Sequence, residues 1–417
     1  MWSQLGKGRG GRDPGPCQGP AWGILTGGKF ARMVPFYDPH LGYEDNYRDG
    51  PWGAFAEALA RAEGAPSDGG QRTSDADARG KCGTAPVGAP DASATFATVW
   101  GVPLRSRFGI PAGPLLNARF CAAAFAMGFD VNVYKTVRSR AWQAHPHPHV
   151  LAVNVEGDLT LDQAARGVQA VASFDGVRAI TNSFGVPSAH PDVWQEDMAR
   201  AVRAAGPGQV LVGSFQGSHG VHGPDEDAYV EDHAVTAALV VETGARVLEL
   251  NLSCPNEGTS SLLCTDVPLV VRVLRAVRDR IGDVPLVVKM AYMPHDAMLR
   301  EFVTRTAPYV DGYSAINTIP ARLIAPDGSP ALPGAGREVG GVCGDAIAWA
   351  AHDMGTRLAQ LRREGLHTGV IVGVGGAGSR ERYAALRAAG ADVVLSATGA
   401  MFNPYLAREL RPAWGAA

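Results

Sequence analysis

The chain has 417 residues, with 38 lysines and arginines against 41 aspartates and glutamates and a net charge of −3. It lacks the basic surplus of a nucleic-acid-binding protein, and no apolar run approaches the ~18 residues of a membrane span. The six cysteines have no paired spacing and the N-terminus has no apolar signal core, which disfavours disulfide-rich, zinc-bound and secreted proteins. We therefore expect a cytoplasmic protein without a bound metal and without nucleic-acid or membrane partners.

The N-terminal part of the chain differs in composition from the rest. Residues 1–32 are rich in Gly, Pro and Arg without periodicity, which predicts a disordered leader, and Met33 is a candidate for the true start. Residues 33–95 form a predicted extension and linker. Within it, the pattern predicts a helix at 52–63, and residues 64–94 have the composition of a linker.

Strand-like and helix-like segments alternate through residues 96–412, as in a parallel α/β fold. The predicted strands are short apolar runs at 108–112, 130–135, 209–215, 246–251, 285–290, 310–317, 369–374 and 391–396. The predicted helices lie at 118–128, 190–204, 228–243, 267–281, 296–307, 344–364, 380–389 and 401–410. Eight strand–helix units favour a (β/α)8 TIM barrel with an N-terminal extension over a doubly wound open sheet. Residues 138–190 do not fit the alternation and are predicted to be an inserted β-hairpin excursion.

Lysine is scarce in this chain, which holds 33 arginines and five lysines. The lysines after residue 95 are Lys135 and Lys289, and both end strand-like runs. Lysine and arginine differ in shape, hydration and tunability, so these lysines are candidates for positions where a guanidinium will not serve. Chance survival of two surface lysines is the alternative, but a strand interior is a poor place for a solvated lysine.

Polar and small residues follow the predicted strands, where a barrel carries its chemistry. They include two lysines, four asparagines and a cysteine, at Ala112-Gly113, Lys135-Thr136, Asn182, Asn251, Cys254, Asn256, Lys289 and Asn317-Thr318. An asparagine offers both a donor and an acceptor, which suits a ring that alternates C=O and N–H groups, as pyrimidines do. Asparagine at a strand end commonly forms a turn, so each one alone is better explained by a structural role. Together they predict one site for a small pyrimidine-type substrate.

Glycine-rich loops follow the last two predicted strands. Gly375-Gly376 follow the seventh strand and Ala397-Thr398 follow the eighth, where barrels commonly bind phosphate through backbone N–H groups. Gly344, at the end of another glycine cluster, is a third candidate. A cofactor with one phosphate, such as FMN, fits better than a dinucleotide, because no strand–GxGxxG–helix fingerprint with a downstream acid is present.

The segment Asn251-Leu-Ser-Cys-Pro-Asn256 resembles the dihydroorotate dehydrogenase family, especially its soluble class 1 branch, and the likeness spans about residues 97–412. The resemblance implies an FMN-binding barrel. It implies substrate contacts at Lys135, Asn182, Gly185, Val186, Asn251, Asn256, Asn317 and Thr318. It implies FMN contacts at Ala112, Gly113, Lys135, Thr136, Asn182, Asn251, Lys289, Asn317, Gly344, Gly375, Gly376, Ala397 and Thr398.

By the same resemblance the reaction is oxidation of dihydroorotate to orotate in pyrimidine biosynthesis. Cys254 is then the base that removes a proton from the substrate ring while hydride passes to flavin N5, and Lys135 assists it. The membrane-bound branch has serine at this position, so the cysteine favours class 1. A free thiol has a pKa of about 8.5 and needs such help to act as a base. Cys264 is the rival base, and an inert buried thiol is the alternative for Cys254.

Some positions depart from the family pattern. Phe184 replaces a methionine, Thr318 a serine and Ala397 a glycine. The family's Asn-Pro-x-Pro-Arg segment is His145-Pro-His-Pro-His149, and its missing arginine puts substrate entry or a dimer contact in question. Alternating prolines force an extended chain there, which disfavours metal binding by the three histidines.

Other functions remain open from the sequence. The same scaffold could oxidise another dihydropyrimidine-like ring, as dihydropyrimidine dehydrogenases do or in specialised metabolism. A Schiff-base lyase using Lys135 or Lys289 and a non-catalytic flavin-binding protein are further alternatives. The resemblance implies a homodimer and allows an electron-transfer partner subunit. Fumarate, NAD through such a subunit, quinone and oxygen are all candidate electron acceptors.

Overall fold

The computed structural model describes residues 34–64, 97–253 and 262–411. The predicted leader at 1–32 and nearly all of the predicted linker at 64–94 lie outside these residues. The strands, in chain order, are β1 (Ala97–Val99), β2 (Val102–Leu104), β3 (Phe108–Ile110), β4 (Val131–Val133), β5 (Ala152–Asn154), β6 (Val168–Val171), β7 (Ala179–Asn182), β8 (Val210–Phe215), β9 (Val247–Asn251), β10 (Leu286–Met290), β11 (Gly312–Ala315), β12 (Ile319–Ile324), β13 (Val339–Gly344), β14 (Val370–Val374) and β15 (Val393–Leu395).

The helices surround and cover the strands. In chain order they are α1 (Tyr43–Asp49), α2 (Gly53–Ala62), α3 (Ala118–Met127), α4 (Leu161–Arg166), α5 (Pro191–Arg203), α6 (Glu226–Glu242), α7 (Val267–Ile281), α8 (Asp296–Thr306), α9 (Ala348–Arg363), α10 (Arg380–Ala388), α11 (Thr398–Phe402) and α12 (Leu406–Leu410). No helix of the described residues is long and apolar enough to cross a membrane.

Eight parallel strands close into a barrel in the order β3, β4, β8, β9, β10, β11, β14, β15, with β15 pairing back to β3. Each of them overlaps one of the eight predicted strands, so the barrel prediction is confirmed and the open sheet is excluded. The strands are buried on both faces, as their continuous apolar runs require. At the N-terminal end of the barrel, the hairpin of β1 and β2 packs its Val and Leu side chains against the valines that begin the barrel strands. The hairpin thus closes one end of the barrel, and the opposite end, at the C-termini of the strands, remains open for a functional site.

The excursion at 138–190 is larger than the predicted β-hairpin. It supplies β5, β6, β7 and α4, and the chain after β11 adds β12 and β13 to the same five-stranded sheet. The prediction missed β12 and β13 because Pro320, Gly340 and Gly341 lower the strand propensity of these segments. The sheet places Asn182 of β7 opposite Gly341 of β13, at the C-terminal end of the barrel.

Two predicted helices differ at their ends. The segment predicted at 344–364 begins as a strand end and a 3-10 turn, and its helix starts at Ala348. The segment predicted at 401–410 is the two short helices α11 and α12, because Pro404 lacks the N–H that a continuous helix would need.

The described part of the extension, residues 34–64, packs on the barrel helix α3. The predicted helix at 52–63 is confirmed as α2, whereas α1 was not foreseen. The fully buried Asn46 organises this segment, since its side chain accepts from the Asp38 N–H at 2.9 Å and donates to the Asp38 carbonyl at 2.9 Å. The Phe36 and Phe55 rings stack with centroids 4.2 Å apart. Residues 34–64 are therefore packed as part of the barrel unit.

Candidate active site

A cavity opens at the C-terminal end of the barrel. Its lining comes from the ends of β3, β4, β7, β9, β10 and β11, at Ala112, Gly113, Lys135, Thr136, Asn182, Phe184, Gly185, Val186, Asn251, Lys289, Asn317 and Thr318. Apart from Phe184, these are residues that the sequence indicated as substrate or cofactor contacts. Segments as distant as Ala112 and Thr318 thus meet at one place, as expected for loops that follow parallel barrel strands.

The cavity carries positive charge. Lys135 and Lys289 are only 6% and 4% exposed, and the described residues that line the cavity include no aspartate or glutamate. Lys289 Nζ donates to the Ala112 carbonyl at 3.3 Å, which points this ammonium across the barrel mouth. Buried cations at the end of a barrel favour an anionic ligand or a reaction that develops negative charge.

The amide of Asn251 is held in one orientation by its neighbours. Its Nδ2 donates to Gln216 Oε1 at 2.7 Å, and its Oδ1 accepts from the Ser253 hydroxyl at 3.2 Å. Asn317 Nδ2 donates to the same Ser253 hydroxyl at 2.9 Å. Gln216 and Ser253 were missed at the sequence level, although each follows the end of a barrel strand by one or two residues. These two residues fix the orientation of the Asn251 and Asn317 amides, so the donors and acceptors of those amides have defined directions.

Cys254 and Asn256 lie outside the described residues, so their positions stay predictions. Cys254 is the next residue in the chain after Ser253. The rival Cys264 is buried in the hydrophobic core and does not line the cavity, and burial raises the pKa of its thiol. A further thiol, that of Cys343, accepts a hydrogen bond from Thr398 Oγ1 at 3.5 Å, and burial raises its pKa to about 11. Both thiols are therefore protonated at neutral pH and are poor bases.

The turn after β7 brings backbone groups to the cavity. Gly185 has φ +76°, and a side chain there would meet the ring of His145 at 2.5 Å, so this position requires glycine. The His145 N–H donates to the Phe184 carbonyl at 3.0 Å, and Arg138 Nε donates to the Val186 carbonyl at 3.0 Å. The backbone of this turn, residues 182–186, is thus held by the histidine segment and by Arg138.

A buried arginine contacts the segment His145–His149, which lacks the arginine of the family's Asn-Pro-x-Pro-Arg pattern. Arg337, 7% exposed, donates to the carbonyls of Pro146 at 2.8 Å and of Ser183 at 3.2 Å. It therefore ties the His-Pro segment to the turn that carries Asn182. No pattern in the sequence indicates this role, because Arg337 lies far along the chain from both partners. Among the described residues no group of three His, Cys, Asp or Glu is placed to hold a metal.

The glycine loops after β14 and β15 touch each other. A side-chain carbon added at Gly399 would lie 2.7 Å from Gly378 Cα, so these loops pack backbone against backbone. Gly376 has φ +67°, and an added side chain would meet Ala348 Cβ at 2.4 Å. The neighbouring candidates Gly375 and Ala397 lie on these loops, and Thr398 begins α11; all three are outside the lining of the cavity.

Gly344 differs from the other glycine candidates because it contacts the five-stranded sheet. Its φ is +97°, and an added side chain would lie 2.2 Å from the Arg178 carbonyl at the start of β7. This contact with the five-stranded sheet explains the need for glycine without a cofactor. Gly344 also stays outside the cavity lining, so its cofactor role remains a prediction.

The fold and this mouth of lysines, amides and glycines define a (β/α)8-barrel enzyme. A profile of the family described as dihydroorotate dehydrogenase matches residues 95–410. The chain belongs to the dihydroorotate dehydrogenase family, and it is accordingly a flavin oxidoreductase that acts on a CH–CH donor.

Curated relatives cover several branches of the family. A dihydroorotate dehydrogenase of Dictyostelium discoideum is 29% identical over 386 residues, which is 90% of this chain and 96% of that protein. A dihydroorotate dehydrogenase (quinone) of Acidovorax sp. is 29% identical over 73% of this chain and 80% of its own length. A dihydroorotate dehydrogenase B (NAD(+)) catalytic subunit of Bacillus pumilus is 31% identical over 46% of this chain and 58% of its own length.

Solved structures agree on the fold. The crystal structure of a dihydroorotate dehydrogenase from Eimeria tenella, in complex with ferulenol, aligns with a TM-score of 0.58 and 18% sequence identity. The alignment covers 75% of this chain and 81% of that one. At this identity the likeness concerns the barrel architecture alone.

Proposed function

We propose that this protein oxidises dihydroorotate to orotate with FMN, in pyrimidine biosynthesis. The observation that carries the proposal is the single cavity in which Lys135 and Lys289 meet Asn182, Asn251 and Asn317. Dihydroorotate is a small ring with alternating amide groups and a carboxylate. The asparagines offer it donors and acceptors, and the buried lysines offer compensation for its negative charge.

The residues present fit FMN. Gly113 lines the cavity with φ +143°, and a side-chain carbon added there would meet nothing within 4 Å, so a flat ring can approach the backbone. Lys289 is a buried cation at the same mouth. The segments around Gly376 and Gly399, which approach each other at Gly378, would hold the phosphate through backbone N–H groups. When bound, FMN supplies the acceptor for a hydride.

The chain's own groups would prepare the substrate for this transfer. Asn251 and Asn317, whose orientations are fixed through Ser253, would hold the ring by its amide groups. Cys254 Sγ would take the proton from the ring carbon next to the one that loses hydride. Lys135, buried at the cavity, would hold the substrate and favour the thiolate over the thiol. Cysteine as the base supports the class 1 branch.

The visible spectrum tests this proposal directly. We expect the purified protein to be yellow, and anaerobic dihydroorotate to bleach its flavin while dihydrouracil does not. Bleaching by dihydrouracil alone would show that the ring lacks the carboxylate and that the substrate assignment is wrong. Family membership already favours redox chemistry over Schiff-base chemistry at Lys135 and Lys289.

The electron acceptor is a separate property of the protein. The relatives include NAD(+)-linked and quinone-linked enzymes, so family membership does not define the acceptor. Fumarate, a soluble quinone and oxygen, each mixed with the dihydroorotate-reduced protein, would identify it by the fastest return of the yellow colour.

Gly376→Val should yield a protein with little bound flavin. The added side chain would collide with Ala348 and force a φ of +67° on a β-branched residue, so the phosphate loop would have to move. The ratio of flavin to protein absorbance measures the loss. Gly365→Val is the matched control, since Gly365 has φ +80° but open space around it. Equal flavin loss in both variants would contradict a phosphate site at Gly376.

A further inference from the structure

The side chain of Phe184, which lines the cavity, is enclosed by three other rings. The His149 ring stacks on it with centroids 5.1 Å apart and an interplanar angle of 17°. The rings of Tyr37 and Tyr43 meet it edge-on at 5.7 Å and 6.1 Å. Such stacked and edge-on pairs are the favoured geometries of aromatic contact. Phe184 is therefore held in one place from three sides.

Two of these rings come from the extension, which precedes the residues that the family profile matches but lies partly within the match to the Dictyostelium relative, since that match covers 90% of the chain. Tyr37 and Tyr43 belong to the extension, whereas the family match begins at residue 95. Both are buried, at 1% and 8% exposure, so their contact with Phe184 is part of the packed interior. The extension thus reaches the wall of the cavity.

The backbone of the turn is fixed without the extension. Ser183 N–H donates to the His149 carbonyl at 2.9 Å, and Arg337 donates to the Ser183 carbonyl. His145 N–H holds the Phe184 carbonyl at 3.0 Å. All these partners lie in the barrel part of the chain. What Tyr37 and Tyr43 add is a fixed position for the Phe184 side chain.

We propose that Tyr37 and Tyr43 are positioning residues that act through Phe184 to set the fit of the substrate ring in the cavity. The extension is then part of the substrate site. This inference rests on the proposed function for the identity of the substrate. Without the two tyrosines, the Phe184 side chain would gain rotational freedom, and part of that freedom would be lost again when substrate binds.

The test replaces the tyrosines in pairs. Tyr37→Leu with Tyr43→Leu should raise KM for dihydroorotate about tenfold and leave kcat unchanged, because each aromatic pair contributes a factor of about two to ten. Tyr37→Phe with Tyr43→Phe keeps both rings and should retain the wild-type KM. The dissociation constant of orotate, measured from the flavin spectrum, should change in parallel with KM.

A double-mutant cycle with Phe184→Leu separates positioning from general stability. Phe184→Leu alone should raise KM, and the leucine pair should then add no further increase, since its effect passes through Phe184. Additive effects on KM would overturn the proposal. If the leucine pair does not yield folded protein, Phe184→Leu decides alone, and an unchanged KM in that variant would overturn the proposal as well.

A wrong substrate assignment and a wrong role for the tyrosines would give different experimental results. If dihydroorotate does not reduce the wild-type flavin, the proposed substrate is wrong, and the cycle is run with the ring that does. If dihydroorotate reduces every variant with the wild-type KM, the function stands and the role of the tyrosines is refuted.

Discussion

Replacing Cys254 with alanine should leave a yellow protein whose flavin is reduced by dihydroorotate about 10²–10⁴-fold more slowly, the usual contribution of a positioned base. Flavin content should not change, because no cofactor contact is assigned to this side chain. Anaerobic stopped-flow measurement of flavin bleaching gives the rate. Cys254→Ser should also be slow at neutral pH, since a hydroxyl is a weaker acid than a thiol and is more difficult to deprotonate.

The three cysteines within the described residues are poor candidates for the base, so the expected loss of rate is specific to Cys254. Burial raises the pKa of the Cys121, Cys264 and Cys343 thiols, so none of them is suited to accept a proton at neutral pH. Cys264→Ala is the matched control and should reduce at the wild-type rate once folded. A wild-type rate in Cys254→Ala together with a slow Cys264→Ala would identify Cys264 as the base instead.

After Cys254, we expect the largest effect on the rate of flavin reduction from replacing Lys289. Lys289→Met should slow flavin reduction about 10²–10³-fold, the typical cost of removing one group that stabilises developing charge. The ammonium is buried, 4% exposed, and lies 3.3 Å from the Ala112 carbonyl at the cavity. Without it, negative charge on the reduced flavin would lack compensation. The reduction potential of the flavin should therefore fall as well.

Lys289→Arg is the sharper control because it keeps the charge. A guanidinium is larger and planar, so it should not fit beside Ala112 in place of a compact ammonium, and the variant should remain slow. This chain has arginine at nearly every other basic position, so a lysine at this position is unusual. A wild-type rate and potential in Lys289→Arg would show that charge alone matters there and that the scarcity of lysine is accidental.

The barrel and most of the cavity lining could be predicted because they depend on local pattern. Each barrel strand is a short apolar run, and Lys135, Lys289, Asn251 and Asn317 lie at the ends of those runs or directly after them. Their positions along the chain therefore predicted that they meet at one end of the barrel, whereas Asn182 lies in β7, outside the barrel strands. The supporting contacts could not be predicted in this way. Arg337 binds the carbonyls of Pro146 and Ser183, and Tyr37 meets Phe184, across separations at which sequence spacing carries no information.

The extra sheet escaped prediction for a different reason. β12 and β13 contain Pro320, Gly340 and Gly341, which lower any strand propensity, and they are strands because β6 and β7 offer them partners. Phe184 was seen only as a departure from the family pattern. Its importance appears once the tyrosines of the extension are placed around it.

The position of β7 between β5 and β13 has a consequence for the order in which the protein matures on the ribosome. Residues 182–186 leave the ribosome early, yet Gly341 of β13 and the guanidinium of Arg337 are made more than 150 residues later. Domains made vectorially complete such long-range contacts last. The substrate side of the cavity therefore cannot be completed before Arg337 and β13 have been made. A truncated chain that ends before Arg337 would contain the lysines and residues 182–186, but it would lack the contacts that hold this turn and also the barrel strands β14 and β15.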